Sequence, residues 1–143
     1  MRAKLIHTAI GIAALLCSFA CVLFACVIGA APVFEGGKGY EFYMGANSSS
    51  LVVPSNNPAL DKLLLGKVAG EKAEYENIDI KLLEARFHAR LQFIEEACGV
   101  TNYYYRSPDL GDCVYVNGYA VNLHIAVSGS RAAAGTPLIF GGI

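Results

Sequence analysis

Residues 5–34, LIHTAIGIAALLCSFACVLFACVIGAAPVF, run for thirty positions without one Asp, Glu, Lys or Arg. Nothing else in the 143-residue chain limits its architecture as strongly. A bilayer core is crossed by about 20 apolar residues at about 1.5 Å each, so this stretch spans with length to spare. A soluble helix apolar on every side must lie inside a large core, and the remaining chain is too short to build one around it. The stretch therefore reads as a transmembrane helix. Secretory signals carry shorter apolar regions, about 7 to 15 residues, ending in small residues before the cut. The best small-residue site is Gly29-Ala30-Ala31, and Pro32 follows at once, which favours an uncleaved anchor. Cleavage after Ala31 and lipid attachment at Cys26 stay open as alternatives. Arg2 and Lys4 precede the stretch, while Glu35, Lys38 and Glu41 follow it. The positive-inside rule then keeps the N-terminus cytoplasmic, in a single-pass cell-membrane protein whose C-terminal domain lies outside.

The composition of 55 % hydrophobic and 16 % charged residues is skewed mainly by that stretch. Beyond it lie nine Lys+Arg and all 12 Asp+Glu, a net of −3. Phosphate-backbone binding needs clustered basic charge, so nucleic acid is not an expected partner. The domain reading is a cytoplasmic tip and anchor over 1–34, an irregular juxtamembrane segment over 35–66, and an exported α+β domain over 67–143.

Within the exported part, Tyr40-Glu41-Phe42-Tyr43 is an aromatic run with strand character, and a strand is expected over about 67–75. Asp79 caps a helical pattern in which Ile80, Leu83, Phe87 and Leu91 form one stripe. Two continuations compete: one helix running to Cys98, or a helix ending near Arg90 with a strand over 91–96 whose Leu91 and Phe93 share the inner face. Asn117-Gly118 lies between two alternating runs and predicts a type I′ hairpin, with Val116 opposite Tyr119 and Val114 opposite Val121. After the turn, Tyr119, Val121, Leu123, Ile125 and Val127 alternate with Ala120, Asn122, His124, Ala126 and Ser128. Period two over nine residues predicts a strand buried on one face, leaving Asn122 and His124 on the polar side. Pro137 lies in the last apolar run and favours an edge strand there, because proline cannot donate to a ladder.

Chemistry is sparse. No two of His7, His88 and His124 share a metal-ligand spacing, and Gly141-Gly142 opens no helix, so neither a metal nor a cofactor is expected. His88 stands four residues from Glu84, the spacing of an ordinary helix-surface pair. Cys98 with His88 or His124 would make a nucleophile and base by residue type alone. Tyr103-Tyr104-Tyr105 is good strand sequence, and it also places at least one tyrosine on the solvent face. With His124 it forms the candidate binding surface, suited to stacking on sugars or a partner protein. Cys98 and Cys113 are the only cysteines outside the apolar stretch. If 91–96, 102–107 and 113–116 form a meander, these cysteines lie at opposite strand ends, too far apart to bridge.

Several phrases together carry a family likeness: Tyr40-Glu41-Phe42-Tyr43 with Gly45, Gly70-Glu71, Val121-Asn122-Leu123-His124, and the ending Gly135-Thr136-Pro137-Leu138-Ile139-Phe140-Gly141-Gly142. Over roughly residues 40–143 the chain resembles the YwmB-like proteins of Gram-positive bacteria, a family without an established activity. The resemblance implies a helix packed on a curved antiparallel sheet, similar in shape to the TATA-binding fold, and it favours ending the helix near Arg90. The chain is shorter than the usual members, so a second half of the fold is not implied.

The expected architecture is α+β: a single N-terminal transmembrane helix followed by a small antiparallel sheet with one helix packed on it, in the order β-α-β-β-β-β-β. The helix should cover the face carrying Val114, Val116, Val121, Leu123 and Ile125. The expected function is a non-catalytic binding or structural module of the envelope, with the membrane, another envelope protein or a wall component as partners. The alternative is a cell-surface hydrolase using Cys98 or His124.

Overall fold

A computed structural model describes residues 2–45 and 47–142, with side chains from Ile6 onward. The chain folds as α+β, with one N-terminal apolar helix and a large antiparallel sheet. Helix α1 (Arg2–Gly29) contains Ile6–Gly29, 24 residues long and apolar enough to cross a membrane. That segment covers about 36 Å at 1.5 Å per residue, and none of it is buried against the rest of the protein.

The remaining elements are β1 (Lys38–Tyr43), β2 (Val52–Ser55), α2 (Pro58–Leu65), β3 (Gly70–Tyr75), α3 (Ile80–Arg86), β4 (Arg90–Ala97), β5 (Val100–Arg106), β6 (Val114–Val116), β7 (Tyr119–Val121), β8 (Leu123–Ser128) and β9 (Arg131–Thr136). Seven strands form one sheet in the order β2-β1-β3-β9-β8-β5-β4, and β6-β7 make a separate two-stranded ribbon. The segment 35–66 is therefore not irregular. Its aromatic run is β1, which pairs with β3 on one side and β2 on the other, so the domain begins well before residue 67.

Asp79 caps α3 by accepting a hydrogen bond from Leu82 N at 3.0 Å, and the helix ends at Arg86. His88 then takes φ +46°, and the chain leaves as a strand. Of the two continuations, the short helix is the one formed. A bulge between Leu91 and Phe93 shifts the β4–β5 register. It sends these two side chains to opposite faces, contrary to the shared inner face expected. Leu91 pairs with Tyr105 and stays exposed at the sheet edge, while Phe93 stacks on Tyr104.

The hairpin forms as expected: Asn117 and Gly118 both have positive φ, and Val114 faces Val121 while Val116 faces Tyr119. The continuation differs. The run over 119–127 breaks at Asn122, and β8 joins the main sheet between β5 and β9. Because β5 pairs with β8, the expected meander through 113–116 does not form. Cys98 and Cys113 are free thiols. β9 is central rather than an edge, because Pro137 follows the strand instead of lying within it.

One face of the sheet packs Tyr40, Ala73, Tyr105, Leu123, Ile125 and Ala134 against Leu83 of α3, Phe87 just past its end and Phe34 from the segment after α1. Val121 is buried outside that cluster, and Val114 and Val116 are half-buried in the ribbon, so α3 covers less of the C-terminal run than expected. The other face is sealed by the chain's own C-terminal segment. Phe140 N donates to Tyr43 Oη at 3.2 Å, and the Phe140 ring meets the Tyr43 ring edge-on at 5.0 Å. Gly135 makes this return possible: a Cβ there would stand 2.8 Å from Ile139 Cγ1.

The chain leaving α1 is fastened to this core. Phe34 is fully buried and meets Phe87 edge-on at 5.8 Å. The buried Glu71 carboxylate accepts from the backbone N–H groups of Val33 and Phe34 and from Lys62 Nζ at 2.7 Å. Lys62 Nζ also donates to Ala31 O at 3.0 Å. Removing one member of a buried pair strands the other charge, at about 3–5 kcal/mol. Lys62→Met should therefore lower unfolding stability by about that amount, and adding Glu71→Gln should recover part of it. Denaturant titration of the three proteins in detergent checks this; a Lys62→Met loss below about 1 kcal/mol would contradict the role given to the pair.

Candidate functional site

The tyrosine run does not form an exposed platform. Tyr105 is buried in the core and donates to Glu84 Oε1 at 2.7 Å; burial, more than this bond, pushes its phenol pKa up. Glu84 is thereby occupied, and His88 pairs instead with Asp109, Nδ1 to Oδ2 at 2.6 Å. Tyr103 is half-buried beside the same core. Tyr104 lies on the opposite face, buried between two rings. It stacks on Phe93 at 4.3 Å and on His124 at 4.4 Å, each at 16°, which makes an aromatic ladder across β4, β5 and β8. Tyr119 of the ribbon tilts onto its outer end, 5.3 Å from Phe93.

His124 is buried too, so the face expected to be polar and open is closed. Ile139 N donates to His124 Nδ1 at 3.2 Å. Nε2 therefore carries the ring proton and donates to Asn102 Oδ1 at 3.0 Å. Desolvation lowers the pKa of His124 to about 4, and the ring is neutral near pH 7. With both nitrogens engaged, it joins the C-terminal segment to the sheet. Cys98 is exposed at the β4–β5 turn, beside a shallow depression formed by residues 96–101, whereas His124 lines a different cavity with Ile139 and Gly141. No hydrogen bond joins these two side chains among the described residues.

A cavity of about 600 Å³ opens at the other end of β4 and β5, and apart from His88 it is lined by residues that the sequence does not mark as a site. Asn122 builds its wall. Its buried side-chain amide donates to the carbonyls of Ser107, Leu110 and Gly111 at 2.9, 3.3 and 3.0 Å, and its Oδ1 accepts from Ser107 N at 2.7 Å. One side chain thus shapes the loop that carries Pro108, Asp109 and Leu110. Ser107 Oγ ties the same loop to the end of α3 by donating to Phe87 O at 2.5 Å.

Across the cavity stand Arg90 and Arg106, directly opposite one another in the β4–β5 register. Both are exposed, and neither makes an ion pair among the described residues. Like charges facing each other across a strand pair are destabilising. Guanidinium groups are also the planar donors best matched to carboxylate and phosphate oxygens. Gln92 and Cys113 complete the lining. Among the described residues no group of three or more His, Cys, Asp or Glu side chains is placed to hold a metal ion. Only strand pairing brings Arg90 and Arg106 together, 16 positions apart, so no local motif marks them.

Compared with protein-family models, with curated proteins and with solved structures, the chain gives no match.

The depressed pKa of His124 has a direct consequence for stability. Between pH 6.5 and about 4 the unfolded chain protonates this histidine and the folded chain does not. Stability should be full above pH 6.5 and fall as pH is lowered through that window, by about 3 kcal/mol in all. His124→Gln should remove this part of the slope. Urea unfolding at pH 7 and pH 4.5 checks it, and equal slopes for the two proteins would show that His124 is not held neutral.

Proposed function

We propose that the chain is a single-pass membrane protein whose extracytoplasmic domain is a non-catalytic binding module for an anionic partner. The partner class is a wall polymer or envelope protein presenting phosphate or carboxylate groups. One observation carries this reading: Arg90 and Arg106 face each other beside a cavity of about 600 Å³, and neither has an acidic partner among the described residues. An anion bridging the two would relieve their repulsion and accept from both guanidinium groups. The length and composition of Ile6–Gly29 support the anchor, and Arg2 and Lys4 before it support the outside placement. The likeness to YwmB-like envelope proteins points the same way. The hydrolase alternative finds less support, since His124 has no free nitrogen and Cys98 stands apart from it.

Two experiments test the two halves of the proposal. With the full chain in neutral-lipid nanodiscs, inorganic polyphosphate should bind at the cleft. Arg90→Ser and Arg106→Ser should each weaken it about tenfold or more and flatten its salt dependence, whereas Arg131→Ser, at the start of β9, should not. Equal binding by all three variants would overturn the cleft assignment. In intact cells the protein should stay in the membrane fraction through carbonate extraction, and external protease should remove the C-terminal domain. A soluble form beginning near Pro32 would overturn the anchor.

A further inference from the structure

Helix α2 is inside out. In a helix on the surface of a soluble domain the apolar stripe faces the core and the charges face water. Here the charged residues face inward. Asp61 Oδ2 accepts from Ser55 Oγ, and Lys62 reaches the buried Glu71. Leu60, Leu63 and Leu64, at the i, i+3, i+4 spacing of a single face, point away from the domain, 48 %, 42 % and 74 % exposed. An eight-residue helix with half of its leucine surface in water is a poor solution for a domain standing free in solvent.

The position of α2 says what covers that face. Lys62 Nζ bonds the carbonyl of Ala31, two residues beyond the end of α1, and α1 and α2 touch. The leucine face therefore lies beside the point where the long apolar helix ends, at the depth of lipid headgroups if α1 spans. We infer that α2 lies on the same bilayer, with Leu60, Leu63 and Leu64 seated at the boundary between headgroups and acyl chains. Lys67, exposed just past the helix, is placed among the headgroups. The Glu71–Lys62 pair then joins two membrane contacts, one spanning and one interfacial, so the domain is held in one orientation rather than swinging on a tether. This inference rests on reading α1 as a membrane span.

The chain contains no tryptophan, so a single introduced one reports its own surroundings. The full chain is reconstituted in phosphatidylcholine vesicles as Leu64→Trp and, separately, as Phe19→Trp in α1. Lipids brominated at shallow or deep acyl positions serve as membrane quenchers, and iodide as the aqueous one. Trp fluorescence in the Leu64 variant should be quenched several-fold more by shallow than by deep bromines and only weakly by iodide; the Phe19 variant should respond to deep bromines. If Phe19→Trp responds to deep bromines while Leu64→Trp responds only to iodide, α2 does not touch the bilayer and the inference fails while the span stands. Iodide protection at Leu64→Trp without bromine quenching, growing with protein density, would assign the face to a second copy and overturn the inference. Loss of deep quenching at Phe19→Trp would overturn both readings.

Discussion

A single buried carboxylate holds the two parts of this protein together. Glu71 lies on β3, in the middle of one half of the sheet, yet three of its bonds go elsewhere: to two backbone N–H groups of the chain leaving α1 and to Lys62 of α2. A carboxylate taken out of water is tolerated only when its lone pairs are satisfied, and here the partners come from two places, the segment leaving α1 and helix α2. The pair therefore acts as a connector. With Phe34 wedged against Phe87 and Tyr40 Oη donating to Phe34 O at 2.6 Å, residues 31–34 become a fixed strut. The sheet is thereby set at a defined position relative to the end of α1.

The sheet is covered on both faces over its central strands. On one side α3 and Phe34 supply the cover. On the other, the last residues fold back across β9 and β8, held by His124, by Tyr43 and by Lys72, whose ammonium reaches Gly142 O at 3.4 Å as well as Glu41 and Glu74. Burial by itself would lower the pKa of Lys72, but the hydrogen bonds it donates to the two carboxylates, with their charges, outweigh it and the pKa is raised. No buried side-chain nitrogen or oxygen among the described residues lacks a partner. On this side the sheet gains apolar burial from the segment after β9 instead of from a second helix layer.

This arrangement explains why the open surface moved from where residue types suggest to where strand pairing puts it. Tyrosine, histidine and phenylalanine side chains offer large apolar area, and the fold uses that area inside, as a stacked ladder under the ribbon. Arg90 and Arg106 are left at the strand ends because their charges cannot be buried without partners. The loop bounding them is shaped by Asn122, a residue whose polar side chain satisfies four backbone groups at once.

The sequence alone determined what depends on neighbours within a few positions. The long apolar helix, the Asp79 cap, the Asn117-Gly118 turn with its register, and the alternation that buries Leu123 and Ile125 were all legible, because each follows from local backbone geometry or a short repeat; the end of that helix was not, since it stops at Gly29 and Phe34 enters the domain core. Tertiary structure decided everything that depends on pairing across long separations. Period two says that one face of a strand is apolar; it does not say that the 107–111 loop and residues 137–142 will cover the other, so Asn122 and His124 read as solvent-facing and are buried. The strand character of Val52–Ser55, the bulge at 92, the central place of β9 and the facing arginines likewise come from which strands meet. That choice is made by the summed burial of the whole sheet, a quantity that no local window contains.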